Sequence, residues 1–400
     1  MAGLLPVEEA LARVLDGASP LPEEWIPVGD CDGRVLTRDL VASRSQPPDD
    51  MSSMDGYALR AADLPGRLTV IGEAAAGRAF GGGVGTGQAV RIFTGAPIPP
   101  GADAVIMQED TARDGDAVII ERTARAGQFI RRRGLDFTAG VSALPAGTVM
   151  NPRSLALAAA MNHASVPVHR RPRVAILSTG DELVEPGTAP GPNQIVSSNA
   201  LAIAAMARRA GADVTHLGIA PDRLDATLAR VRLARSEGHD ILVTSGGASV
   251  GEYDLMRDVI RHEGGELGFW KIAMRPGKPL MMADLGETRL LGLPGNPVAS
   301  FVCAMLFLEP LIARLAGRAV DGQATEAAIL GADVPANDLR ADHLRARLGT
   351  SADGLVATPF PVQDSSMIRV LAEADALILR PPHAPAARAG EPCRIVRLPR

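Results

Sequence analysis

The chain has 400 residues, 46% of them hydrophobic and 22% charged, with a formal net charge of −5 at pH 7. That length allows two or three domains, or four if some are small, and the composition supplies a core of normal size. The acidic balance leaves no basic footprint for a polyanion, and 3% aromatic content leaves few stacking platforms for single strands, so nucleic acid is excluded as a partner.

Residues 4–15 have the apolar spacing of a short amphipathic helix. Glu8 and Glu9 stand where a signal peptide needs cations, so no leader is expected. From about Val41 to Gly140 helical periodicity is scarce. Short β-branched runs at Leu68–Ile71, Ala104–Met107 and Ala117–Ile120 alternate with Gly and Pro turns and predict a small β-rich domain. Within it, Gly81–Gly87 (GGGVGTG) is followed by no Gly-Lys-Ser/Thr and opens no helix pattern, so it reads as a surface loop rather than a phosphate loop.

The segment Arg173–Gly317 differs in kind. Strand-like runs at 174–177, 214–219, 241–244 and 267–272 alternate with helix patterns at 200–210, 223–236 and 254–262, and a long helix at 298–315 follows. Such alternation predicts a doubly wound, parallel α/β sheet. Asn199 and Asp222 occupy the places of helix N-caps, and Gly211 and Gly238 those of helix ends. No apolar run approaches the roughly 18 residues of a membrane span. Phe301–Leu308, the richest, is soon followed by Glu309, Pro310 and Arg314 and is expected to be buried helix, so no membrane partner is expected. After Val320 short strands return (327–334, 344–348, 355–359, 376–379, 393–398), predicting a small β-barrel or sandwich. Cys31, Cys303 and Cys393 form no CxxC pair and read as reduced thiols of a cytoplasmic protein.

The chemistry concentrates in the α/β segment. Thr244-Ser245-Gly246-Gly247-Ala248-Ser249 follows a buried strand and precedes a helix, where small residues let backbone N–H groups converge on an anion. The competing reading is a tight turn needing glycine only for its angles. A second turn, Ser178-Thr179-Gly180-Asp181-Glu182, and the following Gly251-Glu252-Tyr253-Asp254 favour a ligand, since carboxylates beside a phosphate need a hard cation between them. Asp254, with Glu182 or Asp181, is thus a candidate for Mg²⁺ or for positioning water. Lys271, Arg275 and Lys278, stiffened by Pro276, Gly277 and Pro279, form a basic patch suited to oxyanions, against the alternative of a solvated strand end. Pro294, Asn296 and Pro297 open the long helix, and Asn296 and Ser300 are within reach of a ligand there. The histidines form no HExxH pattern and no GxSxG elbow occurs, so neither a zinc site nor a serine hydrolase has support.

Taken in order, SMDGYA (53–58), IFTGAPIPPGADAVIMQE (92–109), RRGLD (132–136), STGDELVEPG (178–187), SNALAI (198–203), TSGGASVGEYD (244–254), KIAMRPGKP (271–279) and LPGNPVAS (293–300) closely resemble the molybdopterin molybdenumtransferases, the MoeA and gephyrin E-domain family. The resemblance implies an elongated homodimer of four-domain subunits. Their bounds would be 1–45 with 141–171 (linking domain), 46–140 (β-rich domain), 172–318 (MogA-like molybdopterin-binding domain) and 319–400 (C-terminal barrel). It implies insertion of molybdate into adenylylated molybdopterin with release of AMP. The site would lie between the α/β domain of one subunit and the β-rich domain of the other, with Asp55 and Thr94 facing Glu182, Asp222 and Asp254. Ser245, Gly246, Gly247 and Ser249 would hold phosphate, and Mg²⁺ on Glu182 and Asp254 would meet the pyrophosphate. Arg340, Ser365 and Ser366 resemble positions near the molybdate. An adenylyltransferase and molybdoenzyme acceptors follow as partners. Two departures stand out: Arg275 replaces the lysine of many relatives, and Asp364-Ser365-Ser366-Met367 is less glycine-rich than theirs. A MogA-like adenylyltransferase and a non-catalytic cofactor scaffold are the alternatives.

Overall fold

The computed structural model describes residues 4–246, 255–320, 322, 324–352 and 354–399. The chain forms two compact units, one from the N-terminus to Glu23 together with His169–Arg400, the other Glu24–Val168.

In the first unit, buried apolar runs become the strands β1 (Arg173–Thr179), β2 (Asp213–Ala220), β3 (Ile241–Ser245), β4 (Glu266–Trp270), β5 (Met274–Arg275), β6 (Met281–Leu285) and β7 (Thr288–Leu293). Six of them form one sheet in the order β2-β1-β3-β7-β6-β4. β1, β2, β3 and β7 run parallel. The sheet is nevertheless mixed, which corrects the all-parallel expectation: β7 returns from β6 as an antiparallel hairpin partner and β4 lies antiparallel to β6. The fourth parallel strand is β7, not the 267–272 run.

Both faces are covered. Val174, Ile176, Ile241, Val243, Leu291 and Leu293 pack with α1 (Val7–Leu15), α2 (Asn199–Arg209) and the long helix α5 (Pro297–Leu315). Ala175, Leu177, Leu242 and Leu290 pack on the opposite face with α3 (Leu224–Ser236) and α4 (Leu255–His262). This alternation of faces along continuously apolar strands is what a doubly covered sheet requires. Helix α5 is long and apolar enough to cross a membrane by length and composition, but two-thirds of it is buried, with Val302, Phe307, Leu308 and Leu311 inside the core. Its middle, Ala304–Leu308, is a π-helical turn.

Neither proposed N-cap caps its helix. Ser198 precedes α2 without a side-chain cap bond, and Arg223 occupies the cap position of α3. Gly211 and Gly238 do follow the ends of those helices with φ of 104° and 71°, the left-handed backbone glycine accepts readily.

The strands β8 (Glu326–Leu330), β9 (Ala341–Ser351), β10 (Gly354–Pro359), β11 (Ala376–Arg380) and β12 (Pro392–Arg397) follow. They pair in the order β9-β10-β8-β12-β11, and β11 closes back on β9, so this is a closed five-stranded barrel rather than a sandwich. β5 pairs in parallel with the start of β9, Arg275 opposite Asp342.

The second unit contains a six-stranded sheet in the order Ala104–Met107, Gly56–Leu59, Gln88–Ile92, Gly66–Ala74, Ala117–Ile120, Ala112–Asp114. The Gly81–Gly87 segment precedes the Gln88–Ile92 strand as a loop and opens no helix. A separate core joins Leu36, Leu40 and Ala42 to Phe137, Leu144, Met150, Ala158 and Val168. Its helix, Pro152–Ala160, starts with a capping box between Asn151 and Ser154.

Candidate active site

Register places Ser178 beside Ser245 and Ser245 beside Leu293, so the turns after β1, β3 and β7 emerge together at the carboxyl edge of the parallel strands. Ligands bind there in open α/β sheets. A cavity of about 910 Å³ occupies this edge. Ser245 and Gly246 line it from β3, Thr179 and Glu182 from β1, and Pro294, Asn296 and Pro297 from the start of α5. Arg275 and Lys278 close one side, and Arg340, Ser365 and Ser366 arrive from the barrel. Gly247, Ser249 and Asp254 lie outside the described residues.

The end of β3, at Ser245 and Gly246, is held tightly. Gly246 has φ 95°, and a Cβ there would stand 2.3 Å from the Thr179 carbonyl oxygen. Asn199, whose side chain was expected to cap a helix, instead donates from Nδ2 to Ser245 Oγ and to the Gly295 carbonyl, both at 2.8 Å. It thus ties the β3 turn to the β7 turn. The Thr179 hydroxyl is buried and has no hydrogen-bond partner among the described residues.

Both arginines of the cavity are already engaged. Arg275 donates from Nε and Nη2 to both carboxylate oxygens of Asp342, at 2.8 and 2.9 Å. Only a guanidinium fork makes that bidentate bond, which gives the arginine at this position a structural reason. Arg340 binds Asp338 in the same way, at 3.2 and 2.7 Å, and this holds the Asp338 carboxyl well below its usual range. Lys278 has no ion-pair partner among the described residues. On the barrel side, Asn296 Nδ2 donates to Ser365 Oγ at 2.9 Å, and the Val298 N–H donates to the Ser365 carbonyl. Beneath this loop Arg345, 1% exposed, donates to Gln363 Oε1.

Three expected residues are elsewhere. Lys271 does not line the cavity; with φ 89° its chain turns out of β4 and its ammonium lies 4.3 Å from the centre of the Trp270 ring. Asp222 does not line it either, and its N–H donates to Asp181 Oδ1 at 3.1 Å, joining two turns. Ser300 is buried within α5, its hydroxyl without a partner among the described residues.

In the second unit Asp55 and Thr94 come together from separate turns. The Thr94 N–H and Oγ both donate to Asp55 Oδ1, at 2.7 and 2.9 Å. The backbone bond first and then the hydroxyl lower the Asp55 pKa, so an exposed carboxylate is fixed and ionised. Gly56 beside it admits no side chain, since a Cβ would stand 1.8 Å from the Ile106 carbonyl oxygen.

Three family models cover the chain: the MoeA N-terminal region (domain I and II) over residues 5–162, a probable molybdopterin binding domain over 175–314, and the MoeA C-terminal region (domain IV) over 327–398. A molybdopterin molybdenumtransferase of Bacillus subtilis (strain 168) is 36% identical over 388 residues, 94% of this chain and 90% of that one. The chain belongs to the MoeA family of molybdopterin molybdenumtransferases. A second such relative, from Haemophilus influenzae, is 37% identical over 319 residues, 79% of this chain and 78% of its own. The solved structure of a molybdopterin biosynthesis MoeA protein from Pyrococcus horikoshii matches with a TM-score of 0.86 at 30% identity, covering 99% of both chains. Family membership makes this chain a transferase of molybdenum cofactor biosynthesis that handles molybdopterin. The adenylyltransferase and scaffold alternatives are not favoured.

Proposed function

We propose that the cavity accepts adenylylated molybdopterin and molybdate, and that molybdenum passes to the dithiolene as AMP leaves. The observation that carries this reading is the convergence, on one sheet edge, of the β3 turn, Glu182, Lys278 and the barrel loop at Ser365. The β3 turn and Ser245, fixed by Asn199, bind phosphate. Lys278 attracts oxyanions, while Arg275 and Arg340 shape the wall through their own carboxylates. Asn296 and Ser365 fix the opposite wall, and the stiff Pro276–Pro279 segment holds Lys278 without reorganisation during reaction.

Mg²⁺ fits this donor set in one way. Among the described residues no three His, Cys, Asp or Glu side chains form a metal cluster, and Glu182 is the carboxylate on the phosphate side. Mg²⁺ is commonly held by one or two carboxylates plus substrate phosphates. Glu182, with Asp254, would hold it, and it would stabilise charge on the leaving phosphate.

The protein works as a homodimer in which Asp55 and Thr94 of one subunit complete the cavity of the other. Supporting this, the cavity wall carries exposed Ile195, Val196 and Ile368, apolar side chains suited to a partner surface. The four domains have the bounds 1–45 with 141–171, 46–140, 172–318 and 319–400. The separate core at Leu36–Val168 supports the linking domain. An adenylyltransferase supplies the substrate, molybdoenzymes receive the product, and the setting is the cytoplasm.

The test is AMP release from adenylylated molybdopterin by the purified protein, with molybdate and Mg²⁺ supplied separately and together. Release needing both supports the reading. Tight nucleotide binding without release moves the assignment to a carrier.

A further inference from the structure

We propose that Asp364 is a built-in competitor for the oxyanion substrate, occupying the Ser366 donors that the cavity would otherwise present to molybdate. The inference rests on the reading of this cavity as the molybdate site, and concerns how strongly this particular chain holds that anion.

Asp364, Ser365 and Ser366 all line the cavity. Asp364 Oδ1 accepts the Ser366 N–H at 2.8 Å and the Ser366 hydroxyl at 2.6 Å. A backbone N–H and a hydroxyl converging on one oxygen are the contacts a tetrahedral oxyanion makes with a protein loop. Here the protein's own carboxylate makes them.

The guanidinium donors on these walls are similarly committed. Both cavity arginines are forked onto carboxylates, Arg275 onto Asp342 and Arg340 onto Asp338. Lys278 is the cation without such a partner among the described residues. An arriving molybdate dianion therefore meets, among the described residues, one unpaired cation and two like-charged carboxylates, Glu182 and Asp364, and must exchange with Asp364 for the Ser366 donors. The exchange is sterically open, because Asp364 is an exposed side chain. Rotation about its Cα–Cβ bond releases both donors at once.

Charge and hydrogen bonding make separable contributions. Asp364→Asn removes the like charge but keeps an acceptor for Ser366. Asp364→Ala removes both and leaves the donors to the ligand. Molybdate affinity is expected to rise in the order wild type, Asn, Ala, with about tenfold between the ends, the size of one close charge pair in a partly screened site.

The experiment is isothermal titration of inorganic molybdate into the full chain, for wild type, Asp364→Asn, Asp364→Ala and Lys278→Ala, each checked for an unchanged melting temperature. Tighter binding in both Asp364 variants, with weaker binding in Lys278→Ala, supports the proposal. Unchanged or weaker binding in the Asp364 variants, with Lys278→Ala still weakened, overturns it and leaves the cavity reading standing. Binding in none of the four proteins overturns both.

Discussion

Gly246→Ala probes the β3 turn in one atom. With φ at 95° the residue lies in backbone that an L side chain enters at a cost of about 2 kcal/mol. Its new Cβ would stand 2.3 Å from the Thr179 carbonyl oxygen, roughly 1 Å inside normal contact. That oxygen belongs to backbone at the end of β1, so relief requires the ends of two hydrogen-bonded strands to part, for about 2 kcal/mol more. The total of about 4 kcal/mol lowers the melting temperature by about 10 °C for a unit of this size. Gly218→Ala is the internal control: its φ is 78°, but nothing lies within 4 Å of the added Cβ. It costs only the backbone part, and its melting temperature should fall by about 5 °C. Differential scanning calorimetry of both variants reads the difference. Equal melting temperatures would refute the clash argument, and a folded Gly246→Ala protein that still binds the nucleotide would refute the role given to this turn.

Arg275→Lys keeps charge but loses the fork onto Asp342, which is 6% exposed; it should cost about 1 kcal/mol in urea unfolding, whereas Arg275→Ala strands a buried carboxylate and should cost about 3 kcal/mol. Asp55→Ala and Glu182→Ala, both at exposed positions, should each abolish AMP release with little change in melting temperature, and a mixture of the two inactive proteins should regain activity if subunits share sites. No recovery in a mixture shown to exchange subunits would remove the shared site. Burial lowers the pKa of His343 to about 4, so the unfolded chain binds its proton first as pH falls. Stability should therefore drop between about pH 6.5 and 4, by at most about 3 kcal/mol, and His343→Gln should flatten that slope.

How far the sequence could be read follows from what each feature depends on. Strands β1, β2 and β3 are apolar runs ended by small polar turns, a local signal, and their ends match expectation within about two residues. The β6–β7 hairpin is different. Met281, Met282 and Ala283 carry no β-branched signal, and its tight Gly286 turn does not mark the start of a parallel strand, so the sequence alone predicts an all-parallel sheet. Asn199 has the composition of a cap, but its amide is used across the sheet edge, on partners 46 and 96 residues away. The basic patch divides for a similar reason: Arg275 finds Asp342 at a separation of 67 residues and Lys271 turns toward Trp270, while Lys278 lines the cavity. Asp55 and Thr94 gave no signal by themselves. Only the family's motif order pointed to them, and the two hydrogen bonds onto Asp55 now give that pairing a physical basis.

In the proposed reaction this chain couples release of AMP to capture of molybdenum. A single-turnover measurement on adenylylated molybdopterin, with molybdate and Mg²⁺, tests it directly by following AMP and pterin-bound molybdenum in the same sample. Equal amounts of the two, both lost in Glu182→Ala, are the expected result. AMP released at the same rate without molybdate, or with no molybdenum gained by the pterin, would contradict the account.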